Sequence, residues 1–116
     1  MSEQFNFAII DNYDIDYDYS NLLNKYPCWE KMMKDINAVD CSDEVFALLT
    51  EALQKTPTYT CCHKSMLGID YCGITLISPI SLKDLNLNIL NSKNSQLKKL
   101  FEKALKENKF IICFGI

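Results

Sequence analysis

Leu97-Lys98-Lys99-Leu100-Phe101-Glu102-Lys103-Ala104-Leu105-Lys106-Glu107-Asn108-Lys109-Phe110-Ile111-Ile112-Cys113-Phe114 joins the two periodicities from which the fold is read. Leu97, Leu100, Phe101, Ala104 and Leu105 recur every three or four residues, as on the apolar face of a helix, and Lys98, Lys99, Lys103 and Lys106 take the remaining positions. The helix is expected to end near Asn108. The unbroken apolar run Phe110–Phe114 then reads as a buried strand inside the sheet.

Working outward, Gln4 to Ile10 alternates, with Phe5, Phe7 and Ile9 on one side, and predicts a first strand. Pro27 suits a first helical turn, and Trp29, Met32, Met33 and Ile36 follow at helical spacing up to about Asn37. Ser42 is a suitable N-cap, with Asp43 and Glu44 at the positive end of the helix dipole, ahead of Phe46, Leu49 and Leu53; Thr56-Pro57 ends that helix. Thr58–Leu67 and Tyr71–Ser78 predict a hairpin about Gly68-Ile69-Asp70, with Ile74–Ile77 central. Ser81 and Asp84 predict a capping box for a helix bearing Leu82, Leu85 and Ile89, and Asn91–Asn94 a polar connector. The expected fold is α+β: one domain over residues 1–116, with about four strands in a mixed or antiparallel sheet and about four helices packed mainly on one side.

A chain of 116 residues, 48% hydrophobic and 23% charged, has room for one real core. No apolar stretch reaches the ~20 residues of a membrane span, and Met1-Ser2-Glu3-Gln4 lacks the basic and apolar regions of a secretory signal. The expectation is a cytoplasmic protein with its six cysteines reduced and no membrane role. The net charge of −3 conceals a division. Residues 1–51 hold eleven acidic residues against three lysines, a balance of −8, and the remainder holds nine lysines against four acidic residues, a balance of +5. All twelve basic residues are lysines, which argues against direct nucleic-acid reading, where arginine forks dominate.

Catalytic motifs are missing. In a strand, Cys61 and His63 share a face and Cys62 points away, a poor arrangement for a thiolate and its base. Zinc usually draws on a C-x₂₋₄-C pair, and none is present; Cys61 and His63 joined by Cys72 from a facing strand is the alternative thiol or zinc reading. Asp14-Ile15-Asp16-Tyr17-Asp18 begins like a calcium loop, but Tyr19 stands where the glycine belongs and Lys25 where the bidentate glutamate belongs. Three glycines form no phosphate-cradling loop. The expectation is therefore no enzyme, no cofactor, no catalytic residue and no metal ligand.

What remains is the segment Asp11–Tyr19. If extended, it turns Asp14, Asp16 and Asp18 to one side and Tyr17 and Tyr19 to the other, with like-facing carboxylates about 6.6 Å apart, a spacing comparable to successive phosphates. Carboxylates beside Tyr13, Tyr17 and Tyr19 make a charge-plus-aromatic mixture suited to a cationic protein partner, and Glu30, Asp35, Asp43 and Glu44 would widen it. The plainer reading has these tyrosines packing on the domain's own core.

In the second half, Tyr71-Cys72-Gly73-Ile74-Thr75-Leu76-Ile77-Ser78-Pro79, the following Ser81-Leu82 and the closing Phe110-Ile111-Ile112-Cys113-Phe114-Gly115-Ile116 resemble the immunity proteins of bacterial contact-dependent growth inhibition systems, over residues 71–116. The resemblance implies a cytosolic, non-enzymatic protein that binds the C-terminal toxin domain of its cognate effector, often a nuclease, and blocks its active site. The expected partner surface is Asp11, Tyr13, Asp14, Asp16, Tyr17, Asp18, Tyr19, Glu30, Asp35, Asp43 and Glu44. A general adaptor or a phage-type inhibitor of a host protein is the competing binding function.

Overall fold

The alternation in Phe5–Ile10 places every second residue of a six-residue strand, β1, on the same face of a sheet. In the computed structural model, which describes residues 5–25, 28–70, 73–90 and 94–115, the chain continues through one-turn α1 (Leu22–Lys25), α2 (Trp29–Asp35), β2 (Val39–Cys41), α3 (Asp43–Leu53), β3 (Pro57–Thr60) and β4 (Ser65–Leu67). It then forms β5 (Ile74–Ile77), α4 (Pro79–Lys83), α5 (Ser95–Glu107) and β6 (Phe110–Phe114). Short 3₁₀ turns span Tyr19–Asn21 and Leu87–Leu90. All pairings are antiparallel in one six-stranded sheet ordered β2-β1-β6-β5-β3-β4, in place of the four strands expected.

β6 is central, as its apolar run requires. It pairs with β1 on one side (Phe7 opposite Cys113, Ala8 opposite Ile112) and with β5 on the other (Leu76 opposite Ile112). The two additional strands are the sheet edges, β2 and β4, each of three residues. Segments so short carry too few residues for a period-two pattern to emerge.

Three expectations are corrected. Thr58–Leu67 is not one strand: Thr60 N–H donates to Lys64 O at 2.9 Å, His63 N–H donates to Thr60 O at 2.9 Å, and His63 takes φ 66°, so a tight turn divides the run into β3 and β4. The β-rich composition masks that turn because histidine supplies the left-handed conformation usually advertised by glycine or asparagine. β5 consequently pairs with β3, not with β4, after a reversal at Gly68, whose φ of 75° strains any other residue. Ser78, not Ser81, caps α4: its hydroxyl accepts from Ser81 N–H at 3.2 Å and Pro79 follows at the first helical position. Ser81 is buried and its hydroxyl donates to Pro57 O at 2.6 Å; the helix stops at Lys83 before the side chain of Ile89, which lies outside the described residues.

One face of the sheet carries Phe5, Phe7, Ile77, Ile111 and Cys113 under α3, α4 and α5. Phe5 stacks on Phe46 of α3 at 3.6 Å, and Phe101 of α5 meets Phe7 edge-on at 5.5 Å. Ser42 and Asn94 cap α3 and α5, and Asn108 closes α5 in the left-handed conformation. The opposite face, carrying Ala8, Ile10, Ile74, Leu76, Ile112 and Phe114, is not left open as a one-sided helix layer implies. It lies under Met32 and Met33 of α2, the following Ile36, Leu22 of α1 and Tyr13, Tyr17 and Tyr19. The side chain of Trp29, and residues Pro27, Cys72 and Asn91, lie outside the described residues. Among those described, no helix is long and apolar enough to cross a membrane.

Candidate recognition surface and thiol cluster

Between β1 and α1 the chain does not extend. Tyr17 N–H donates to Asp14 O at 3.2 Å and Asp16 N–H to the Asp14 carboxylate at 2.9 Å, which folds residues 14–17 into a turn closed by an Asx contact. Asp18 Oδ1 then accepts from the backbone N–H of Ser20 at 3.0 Å and its hydroxyl at 2.7 Å, capping the Tyr19–Asn21 turn. These bonds, led by the Ser20 hydroxyl, hold the Asp18 carboxyl below its usual range. The expected ladder of evenly spaced carboxylates is thus replaced by aspartates turning the chain. Backbone groups at a bend need partners, and short carboxylates supply them locally.

The tyrosines point inward. Tyr19 is buried and its hydroxyl accepts from Asp14 N–H at 2.9 Å; Tyr13 lies flat on Phe110 with ring centres 3.7 Å apart; Tyr17 meets Tyr19 edge-on at 4.9 Å. His63 fastens the group from the β3–β4 turn. Its Nε2 lies 2.6 Å from Tyr17 O and its Nδ1 lies 2.6 Å from the Tyr13 hydroxyl. A carbonyl only accepts, so Nε2 carries a proton and, in the neutral ring, Nδ1 accepts from Tyr13. Burial raises the Tyr13 and Tyr19 hydroxyls above the ordinary tyrosine value; neighbouring tyrosines and the Asp14 charge add to it, and the Asp14 N–H bond to the Tyr19 hydroxyl offsets part of the rise there.

The carboxylates remain outside. Asp11, Asp14, Asp16, Glu30 and Asp35 are all exposed. Asp11 pairs with Lys109 at 3.0 Å, and Lys109 also reaches Glu107 at 3.0 Å. Asp11 and Asp35 flank one cleft of about 220 Å³ with Ala8, Ile10, Leu22, Ile36 and Ile112 along it. Asp43 and Glu44 open α3, which packs on the opposite face of the sheet, so they do not border this cleft.

No local signal in the sequence marks the contact of Asp18 with the β3–β4 turn. Tyr19 N–H donates to Cys61 O at 3.1 Å, and this sets Asp18 beside both thiols. Cys62 Sγ lies 3.5 Å from Asp18 Oδ2 and 3.8 Å from Cys61 Sγ. Hydrogen bonding to Cys61 and Asp18 raises the Cys62 thiol, whereas desolvation raises Cys41, up to about 12, and Cys113. Cys41 and Cys113 are buried packing thiols; Cys62 is exposed beside the half-buried Cys61, and Cys28 is exposed elsewhere. The anticipated Cys61, His63 and Cys72 trio is not what the geometry assembles: both His63 nitrogens are engaged with tyrosine groups, and Cys72 is outside the described residues. Comparison with family models, with curated proteins and with solved structures finds no match.

Proposed function

We propose that this chain is a non-catalytic inhibitor of the immunity type, which binds a cationic toxin domain, with a nuclease as the favoured class, and occludes its active site. The observation that supports this reading is the shared cleft of Asp11 and Asp35, two exposed carboxylates beside the partly exposed side chains of Leu22 and Ile36, with the exposed Asp14 and Asp16 on the same layer. Charges around a contact accelerate and orient encounter, and the partly exposed Leu22 and Ile36 supply apolar contact. The tyrosines enter as a scaffold that holds the carboxylates outward, with Tyr17, still partly exposed, as the aromatic contact. Asp18, Tyr13 and Tyr19 act within the chain, and Asp43 and Glu44 are left out of the contact.

The test pairs the chain with the toxin domain encoded beside it. Co-expression is expected to protect cells, and the fourfold variant Asp11→Asn, Asp14→Asn, Asp16→Asn, Asp35→Asn is expected to slow association by about 10-fold or more at low salt, with the difference shrinking as salt rises. Unchanged association and protection in a folded fourfold variant removes this face from the interface. A chain that neither binds nor protects against that domain overturns the inhibitor reading.

A further inference from the structure

We propose that Cys61, Cys62 and Asp18 form a binding site for a thiophilic divalent cation of the Zn²⁺ type. The three donor atoms come from two segments far apart in sequence, yet all lie within 4.8 Å of one another. Their separations match a coordination polyhedron: bonds of about 2.3 Å to sulfur and about 2.0 Å to oxygen, at tetrahedral angles, place two sulfurs about 3.8 Å apart and a sulfur and an oxygen about 3.5 Å apart. The chain holds Cys61 Sγ and Cys62 Sγ at 3.8 Å and Cys62 Sγ and Asp18 Oδ2 at 3.5 Å.

The surroundings orient the donors. Ser20 occupies Asp18 Oδ1 through two hydrogen bonds and leaves Oδ2 turned to the thiols, as an outer-shell partner does for a ligating carboxylate. Tyr19 N–H to Cys61 O, and His63 to both Tyr17 O and the Tyr13 hydroxyl, tie the two ligand-bearing segments together on either side of the cluster. His63 therefore positions the turn and is not a ligand. Two thiolates and one carboxylate leave the fourth position to water or to a donor from a partner, as in open zinc sites. On binding, each thiol gives up its proton to solvent, so two S–H bonds are exchanged for two metal–sulfur bonds and the bound cluster carries one net negative charge.

The experiment titrates the full chain, reduced with a non-chelating phosphine, with Zn²⁺ in competition with a chromophoric chelator, and repeats the titration with Co²⁺ to read thiolate-to-metal charge transfer. One equivalent is expected to bind, with the thiolate band present. Cys62→Ser and Asp18→Asn should each lose more than about 10-fold in affinity, Ser20→Ala about 10-fold, and Cys28→Ser nothing. Cys62 and Cys28 are both exposed, so their serine variants are expected to melt like the parent without metal. A weak thiol–carboxylate hydrogen-bond cluster is the competing account. No binding at micromolar Zn²⁺, binding that survives Cys62→Ser, or binding that follows Cys28 instead overturns the site. Because the readout is metal affinity, failure here is distinguishable from failure of the inhibitor proposal, which is read as association with a toxin domain.

Discussion

The two faces of the sheet are covered by different kinds of chain. On one, α3 and α5 bring aliphatic and phenyl side chains at regular helical spacing against Phe5, Phe7, Ile111 and Cys113. On the other, a turn built on aspartates, two short helices and a cluster of tyrosines anchored by His63 lie over Ala8, Ile112 and Phe114. Nondirectional apolar burial holds the first, whereas the second adds hydrogen bonds with fixed geometry to a smaller apolar contact. The first face is therefore suited to carrying global stability. The second is suited to opening on its own and to presenting charge.

Breaking the first face should have the largest effect. Phe101→Ala empties a fully buried position against Phe7, and a loss of about 3–5 kcal/mol is expected in denaturant titration, with sheet and helices unfolding together. A loss confined to α5, with β1 and β6 still protected from hydrogen exchange, contradicts that account.

A smaller and local effect is expected from His63→Asn, which keeps a residue tolerant of the left-handed backbone but removes the ring that joins Tyr13 to Tyr17. The cost should be about 1–3 kcal/mol, with exchange rising at residues 13–19 while β6 stays protected. Equal loss of protection across the whole sheet would mean that the two faces unfold as one unit.

The smallest effect sharpens the comparison through pH. Tyr13 and Tyr19 sit above the ordinary tyrosine value of about 10, so the folded chain holds these protons more tightly than the unfolded chain does. Their contribution is fully present below that value and is lost as pH rises through the raised one. Melting temperature should therefore fall more steeply above about pH 10 in the parent than in Tyr13→Phe, and equal slopes would remove Tyr13 from the alkaline response.

Legibility followed the same division. Leu97 to Leu105, Phe110 to Phe114 and the Ser42 cap were readable because each depends on neighbours three, four or two positions away. β2 was too short to show a pattern, and the β3–β4 turn was concealed by residues that also favour strands. In the candidate site, Asp11, Asp14, Asp16 and Asp35 could be identified as exposed acids, and the packing of Tyr13 and Tyr19 on the domain's own core, the plainer of the two sequence readings, is the one that holds; the sequence left the two open, since an alternating stretch looks the same whether it extends or coils onto a core. The meeting of Asp18 with Cys61 and Cys62 has no local signal at all.

By itself the amino-acid order determined the α+β class, the central place of β6, the amphipathic faces of α3 and α5 and the uneven distribution of charge, because side-chain periodicity and composition act over a few residues. Tertiary structure alone decided the strand order, the covering of the second face by the aspartate and tyrosine segment, the cleft shared by Asp11 and Asp35 and the approach of Asp18 to the two thiols. Those features depend on which distant surfaces are buried against each other, a choice made by the free energy of the whole packed chain and not by any one stretch of it.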